Sequence, residues 1–517
     1  MGERTSPTPE RTSSLAAAGL PLLITLLGIA ISGGLLAIAT HFQHVSLWAA
    51  NFVLIFTLAL GVDYALFIVM RFREIRGRHE RPADAAAAAM DSAGRAVLFS
   101  GLTVLVSLSA TFLIPSPMPR SIALGVVMSV SVVLAAAFTL LPLILARLGH
   151  RIDAGSLPWR RRAYGNAGAS RMAAWGRFVC RHPKRLAAGT IATLVALALP
   201  LGHVRIGIPG QKVLAADAQS RLGFDRLEHD FGPEAVAPVT VALPRTEAAR
   251  ALAAMGADRD LAATQPVPTL PSSRQTVLQS ALRVEPTSGA AGTAIDHLRT
   301  VLPAGSLVGA GPAELHDFKQ EMQRISPPII ALILVLGFVL LLVAVQAPVI
   351  ALAGTLTSLL STAAAFGVTV LIFQDGHLSA LLGFQSQGYI DFWGPVFFFA
   401  MIFAIAMDYT LFLLSSAREA WDRTGDPLDA IVEGMRRSGP VILAAAGAMF
   451  GVYATFAASG SLPAKEMGTI LGMAVLLDAM LVRLVLLPAI LALAGERAWW
   501  RPALVRRLLP ALDLSHG

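Results

Sequence analysis

Two aspartates stand inside stretches that otherwise carry no charge. Asp63 lies in Gly61-Val-Asp-Tyr-Ala-Leu-Phe67, and Asp408 in Met407-Asp-Tyr-Thr-Leu-Phe412. Each is followed by a tyrosine, Tyr64 or Tyr409. An ionised carboxylate near the centre of a bilayer costs about 2.5–3.5 kcal/mol, so acids in such places are functional candidates. A carboxyl group there can load a proton from one side and release it to the other, and a neighbouring phenol can donate a hydrogen bond to it. The pairs therefore read as a proton relay. The alternative is a polar pin that holds two helices together, with the tyrosine an interfacial aromatic.

A second pair of charges, Asp478 and Arg483, lies in the last apolar run. Five residues on a regular α-helix separate two side chains by about 140°, so the spacing predicts that these two do not pair directly. They read either as an auxiliary charge beside the relay or as structural partners of another helix, Arg483 snorkelling to the surface. Other chemistry has no footing. There is no G-x-x-x-x-G-K-[ST] loop for ATP, no HExxH and no GxSxG. The eleven histidines are scattered, so no metal site is expected. The single cysteine, Cys180, excludes a disulfide framework and any multi-cysteine cluster. The segment Gly309-Ala-Gly-Pro312 reads as a turn, not a phosphate loop. No enzyme activity and no cofactor are expected.

The elements that must position these residues are membrane helices. Of 517 residues, 55% are hydrophobic and 14% charged, against about 25% charged in soluble domains. Ten runs approach the roughly 20 apolar residues that a spanning helix needs: 15–40, 45–70, 94–114, 122–145, 186–201, 325–347, 349–373, 392–415, 440–458 and 470–493. The net charge of +8 would point to nucleic acid in a soluble protein. Here Arg71, Arg73, Arg76, Arg78 and Arg81 crowd one loop, and Arg147, Arg151, Arg160, Arg161, Arg162, Arg171, Arg177, Arg181, Lys184 and Arg185 another, against the single acid Asp153. Arg418, Arg423, Arg436 and Arg437 occupy a third. The excess is thus topological, both termini fall on the cytoplasmic side, and nucleic acid is not a partner. The segments 71–91 and 418–437 are charged and amphipathic; they read as solvated connectors, with interfacial helices as the alternative.

The predicted organisation is a disordered start (1–14), a four-helix transmembrane repeat (15–148), a basic cytoplasmic linker (149–185), one helix (186–202), an extracytoplasmic α+β domain (203–324), a five-helix repeat (325–495) and a basic tail (496–517). In the outer domain, strand-like runs at 238–243, 276–284 and 306–309 alternate with helix-like runs at 216–231, 246–255, 291–301 and 313–325. That pattern fits a split βαβ sandwich.

The two transmembrane halves are copies. The stretch 61–74 recurs at 406–419 with an offset of 345, which also pairs Asp84-Ala85 with Asp429-Ala430, Met90 with Met435 and Gly94 with Gly439. Both copies have one topology, so the repeat is parallel, with a pseudo-axis along the membrane normal. The first copy has no counterpart for one span, an outer domain and a second span. The chain reads as roughly 165 residues short of two full repeats.

The motifs at 61–74 and 407–419, Leu476-Leu-Asp-Ala-Met-Leu-Val-Arg-Leu484 and Ser92-Ala-Gly-Arg-Ala-Val-Leu-Phe-Ser-Gly-Leu-Thr103 resemble the MMPL family of the resistance–nodulation–division (RND) superfamily. The similarity runs from about residue 18 to 495, and the alanine- and arginine-rich usage is similar to that of actinobacterial members. The resemblance implies a multi-pass protein of the cytoplasmic membrane. It implies proton-driven export of lipids or other hydrophobic compounds, with Asp63, Tyr64, Asp408 and Tyr409 as the relay. Family members have twelve spans and two porter domains, where this sequence shows ten and one. The expected partners are a lipid-like substrate, membrane lipids and protons, with homo-oligomerisation open. The competing readings are a truncated remnant or lipid-binding scaffold that does not transport, and a proton-coupled helper of protein translocation, whose machinery shares the fold.

Overall fold

Prolines and small polar caps mark where the long helices begin. Pro82, Pro117, Pro183, Pro348 and Pro427 each sit in a first turn, where the missing N–H has no partner to lose. Pro82 and Pro427 share the repeat offset. The Asp426 carboxylate accepts the Leu428 N–H at 2.7 Å and the Asp429 N–H at 3.2 Å, capping the helix that follows.

The computed structural model describes residues 15–149, 152, 166–207, 214, 217–232, 235–270, 272–286, 288–391 and 394–503. The polar start 1–14 and the tail beyond 503 lie outside the described residues. The first repeat consists of α1 (Leu15–Ala39), α2 (Leu47–Ile75), α3 (Pro82–Ala89), α4 (Arg95–Ser109) and α5 (Pro117–Leu148). A π-turn at Met90–Gly94 joins α3 to α4. Next come α6 (Asn166–Arg181), inside the stretch read as a basic linker, and α7 (Pro183–Ala198). The α+β domain carries β1 (Ile206–Gly207), α8 (Gln219–Phe231), β2 (Pro238–Pro244), α9 (Ala248–Ala257), β3 (Gln265–Val267), β4 (Gln275–Ala281), α10 (Gly289–Val301) and β5 (Leu307–Gly309). The second repeat comprises α11 (Gly311–Val345), α12 (Pro348–Thr369), the short α13 (Ser379–Leu382), β6 (Ile390–Asp391), α14 (Phe399–Thr424), α15 (Pro427–Ala457), α16 (Leu462–Leu477) and α17 (Leu487–Ala494). A π-helical segment, Asp478–Leu486, makes α16 and α17 one rod.

Ten helices among the described residues are long and apolar enough to cross a membrane. The chain is therefore a multi-pass, mostly helical membrane protein carrying one α+β domain. Leucines such as Leu22, Leu26 and Leu356 face outward, as a lipid-facing surface requires, while Phe52, Phe72 and Phe403 fill the bundle interior. In the α+β domain, β3-β4-β2-β5 form an antiparallel sheet in the run βαββαβ. Val239, Val241, Leu243 and Leu278 of the sheet pack with Met255 of α9 and Ile295 and Leu298 of α10.

The sheet domain is tied to the second repeat by more than its covalent links. Strand β1 pairs in parallel with β6, Ile206 opposite Ile390. Beside it the Gln374 side chain accepts the Arg205 N–H at 2.6 Å and donates to the His203 carbonyl at 3.2 Å. His203 Nε2 lies 3.1 Å from Asp375 Oδ2.

The segments read as solvated connectors are ordered extensions of the spans. Arg71–Ile75 completes α2, α3 buries Ala85, Ala86 and Ala89, and Arg418–Thr424 completes α14. Their charges are satisfied locally: Arg437 lies 3.0 Å from Glu419 and 2.7 Å from Glu433. In the first segment the alanine run 85–89 supplies the buried face; in the second Ala420, Ala430, Ile431 and Met435 do so.

Candidate functional site

The two repeats meet along the face that carries the Asp-Tyr pairs. Helix α2 packs against α15 of the other repeat, and α14 against α4. Phe67 and Phe412, equivalent positions 345 apart, stack with ring centroids 3.8 Å apart and planes 4° from parallel. That stack lies where the pseudo-axis must pass, one turn from both pairs. Asp63 is 2% exposed, Tyr64 fully buried and Tyr409 1% exposed. Close helix contact makes this possible: a Cβ on Gly61 would stand 2.6 Å from the Thr25 hydroxyl of α1.

Each tyrosine bonds to a neighbouring helix. Ser100 Oγ of α4 donates to Tyr64 Oη at 3.4 Å, and Tyr409 Oη donates to Met449 Sδ of α15 at 2.7 Å. Asp63 lies close enough to the buried Tyr453 phenol of α15 to act on it electrostatically. Asp408 is on α14 within the same turn as Tyr409; its side chain lies outside the described ones.

Asp478 and Arg483 correct the expectation from their spacing, for they pair directly. Arg483 Nε lies 2.9 Å from Asp478 Oδ2 and Nη2 3.2 Å from Oδ1. The physical reason is the π-helical segment that begins at Asp478. Its hydrogen bonds reach back five residues, so positions i and i+5 come to one face, where a regular α-helix would part them. The fully buried Arg483 guanidinium also donates to the Ala406 carbonyl and the Thr410 hydroxyl, two residues before and two after Asp408. Ser361 Oγ of α12 donates to Asp478 Oδ1 at 3.4 Å. One cation thus clamps the turn of α14 that carries Asp408 and Tyr409.

Tyr453, Thr410 and Ser361 join the site without having been singled out in the sequence. No tyrosine stands at the matching place in the first repeat, so the repeat could not reveal Tyr453. Nearer the sheet domain lies a second buried group. Asp391 of β6 donates its N–H to Glu466 Oε1 at 3.3 Å, and Lys465 donates to the Leu382 carbonyl. The charged dipeptide Lys465-Glu466 in an apolar run was the available signal.

Fold and site together define a two-repeat membrane protein with the buried Asp63-Tyr64 pair and the buried Tyr409 at the repeat interface, and one α+β domain beside the bundle. The model of the MMPL family matches residues 12–186 and 285–510, and the chain belongs to the MMPL family. It is 37% identical over 499 residues to a membrane protein of Streptomyces coelicolor, covering 95% of this chain and 69% of that protein. It is 34% identical over 523 residues to the mycolic acid-containing lipids exporter MmpL11 of Mycolicibacterium smegmatis, covering 97% of this chain and 54% of that one. The trehalose monomycolate exporter MmpL3 of the same organism is 28% identical, with the same coverages of 97% and 54%. The chain thus spans about half the length of these mycobacterial relatives. A crystal structure of SecDF in its super-membrane-facing form shares the fold, with a TM-score of 0.53 at 13% identity over 93% of this chain and 60% of that one.

Proposed function

We propose that the protein exports lipids or other amphiphiles across the cytoplasmic membrane, driven by the proton-motive force. The observation that carries this reading is the pair of Asp-Tyr motifs related by the repeat, of which Asp63, Tyr64 and Tyr409 are buried at the interface between the repeats. The relay consists of Asp63, Tyr64, Asp408 and Tyr409, with the Asp478–Arg483 ion pair fixed beside it. Protonating Asp63 removes a charge that α15 faces through Tyr453. The favoured packing of α2 against α15 then changes, and by symmetry so does that of α14 against α4. Movement passes to the sheet domain through α7, α11 and the β1–β6 pair. One proton crossing 100 mV releases about 2.3 kcal/mol, enough for modest uphill transport. In this reading both termini lie on the cytoplasmic side and the sheet domain outside, an orientation that the excess of Arg and Lys in the loops supports.

The test is efflux of a fluorescent amphiphile from cells that carry the wild type, Asp63→Asn or Asp408→Asn, with and without an uncoupler. Efflux is expected to fall to the empty-cell level in both variants and with the uncoupler. Full efflux in both variants refutes the relay. A scaffold without transport would leave efflux at the empty-cell level in the wild type as well.

A further inference from the structure

Helix α6 directly precedes α7, which is long and apolar enough to cross a membrane. Its Ala173, Gly176 and Val179 are buried, and the helix packs on α15 and α17. The approach is close: a Cβ on Gly176 would stand 3.1 Å from Met435 Sδ and 3.5 Å from Val432 Cα of α15. Its outer face carries Arg171, Arg177 and Arg181, and the start of α7 adds Lys184 and Arg185. All five are exposed, and none forms an ion pair with another described residue. No acidic residue occurs from Asn166 to Ala198. Two large aromatics share the exposed side: Trp175 is 37% and Phe178 44% exposed, their rings stacked at 5.4 Å. At 100° per residue, Phe178 falls between Arg181 and Arg171 around the helix.

The Trp175 indole has a second role. Its Nε1–H donates to the Leu484 carbonyl at 2.8 Å. Leu484 follows Arg483 within the π-helical segment, where hydrogen bonding is looser than in an α-helix. The basic face is thus joined, through one side chain, to the segment that clamps the Asp408 turn.

We propose that α6 and the first turn of α7 form a docking surface for anionic phospholipid, and that its occupancy is transmitted to Asp478–Leu486 through Trp175. Charge complementarity selects this occupant. Five exposed cations that pair with no described residue, next to two exposed aromatics, match a surface of phosphodiester headgroups over acyl chains, and each such cation near an anionic surface strengthens binding about fivefold. Regulation follows: a bilayer rich in anionic lipid holds α6 down, keeps the Trp175 bond and fixes Arg483 on α14. The surface is independent of which compound the protein moves.

The experiment uses the full chain in nanodiscs of phosphatidylcholine, or of phosphatidylcholine and phosphatidylglycerol at about 7:3, read by hydrogen–deuterium exchange. Phosphatidylglycerol is expected to slow exchange in both α6 and Asp478–Leu486; inorganic phosphate added to neutral nanodiscs is expected to slow neither. A variant carrying Arg177→Gln, Arg181→Gln and Lys184→Gln, all at exposed positions, should need about 100-fold more phosphatidylglycerol for the same protection. Trp175→Phe should keep the protection of α6 and lose that of Asp478–Leu486. Equal exchange of the wild type in both lipids, or undiminished protection in the triple variant, overturns the docking surface. Protection of Asp478–Leu486 that survives in Trp175→Phe overturns the transmission.

Discussion

Replacing Asp478 with asparagine keeps the shape of the side chain and removes its charge. Arg483 is then stranded: fully buried, always protonated, and left with the Thr410 hydroxyl and the Ala406 carbonyl in place of a carboxylate. Breaking a buried ion pair from one side costs about 3–5 kcal/mol. Neutral acceptors remain, the amide oxygen of the new asparagine among them, so the lower end applies, about 3 kcal/mol. Arg483→Met leaves an aspartate instead, which can take up a proton where arginine cannot lose one. Its cost is therefore smaller, about 2 kcal/mol. Replacing both, with Asp478→Leu and Arg483→Met, removes the desolvation along with the attraction and returns the protein to within about 1 kcal/mol of wild type. The assay is thermal unfolding of the purified protein in one detergent, followed by tryptophan fluorescence. The expected order of midpoints is wild type and double variant highest, then Arg483→Met, then Asp478→Asn. A double variant that melts below both singles refutes the reasoning, because the cost would then lie in lost packing and not in a stranded charge. Amphiphile efflux separates stability from mechanism: the double variant is expected to fold and not to transport, since nothing then clamps the Asp408 turn.

Other consequences follow from the same geometry. A Cβ on Gly468 would stand 2.5 Å from the Tyr453 carbonyl oxygen and 2.8 Å from the Phe456 carbonyl carbon, both backbone atoms of α15. Gly468→Val should therefore cost about 3 kcal/mol and lower the yield of folded protein in size-exclusion chromatography. Phe67→Ala and Phe412→Ala should each destabilise by about 3–5 kcal/mol, and the double variant by about 1 kcal/mol less than their sum, measured as a double-mutant cycle of unfolding. Burial pushes the Cys180 thiol up to about 11 from 9.0. Its alkylation by iodoacetamide at pH 7.5 should run about 100-fold slower than that of an exposed cysteine, and should speed up as the pH rises toward 11.

The long elements were legible in the sequence because their signals are strong and redundant. Ten apolar runs, a repeat offset and loop arginines all bear on one architecture, and the strands at 238–243 and 306–309 came within one residue of β2 and β5. Strands β1, β3 and β6 were not legible: β1 and β6 have two residues each, too few for a period, and β3 carries Pro266 at its centre, which reads as a strand breaker. Asp63, Tyr64 and Tyr409 declared themselves by charge or repetition and are buried in the repeat interface. The pairing of Asp478 with Arg483 could not be read, because periodicity assumes 3.6 residues per turn and the helix departs from it at that place. Tyr453 and Thr410 act through positions that only tertiary packing assigns. The lesson of the Asp478 pair is that an i, i+5 couple of opposite charges in an apolar helix is itself evidence for a π-segment.

The path of α11 holds a further consequence. It runs unbroken for 35 residues from the sheet domain into the bundle, yet Pro327 and Pro328 lie within it. These two residues supply no N–H, so the carbonyls of Gln323 and Arg324 have no intrahelical donor, and the rod is weakest there. Sixteen residues, roughly 24 Å, separate that soft point from Gly311 at the sheet. A bend of roughly ten degrees would carry the sheet end through about 4 Å, close to the spacing of neighbouring strands. A helix bending there would act as a crank with a built-in joint, and the β1–β6 pair would be placed to limit its throw.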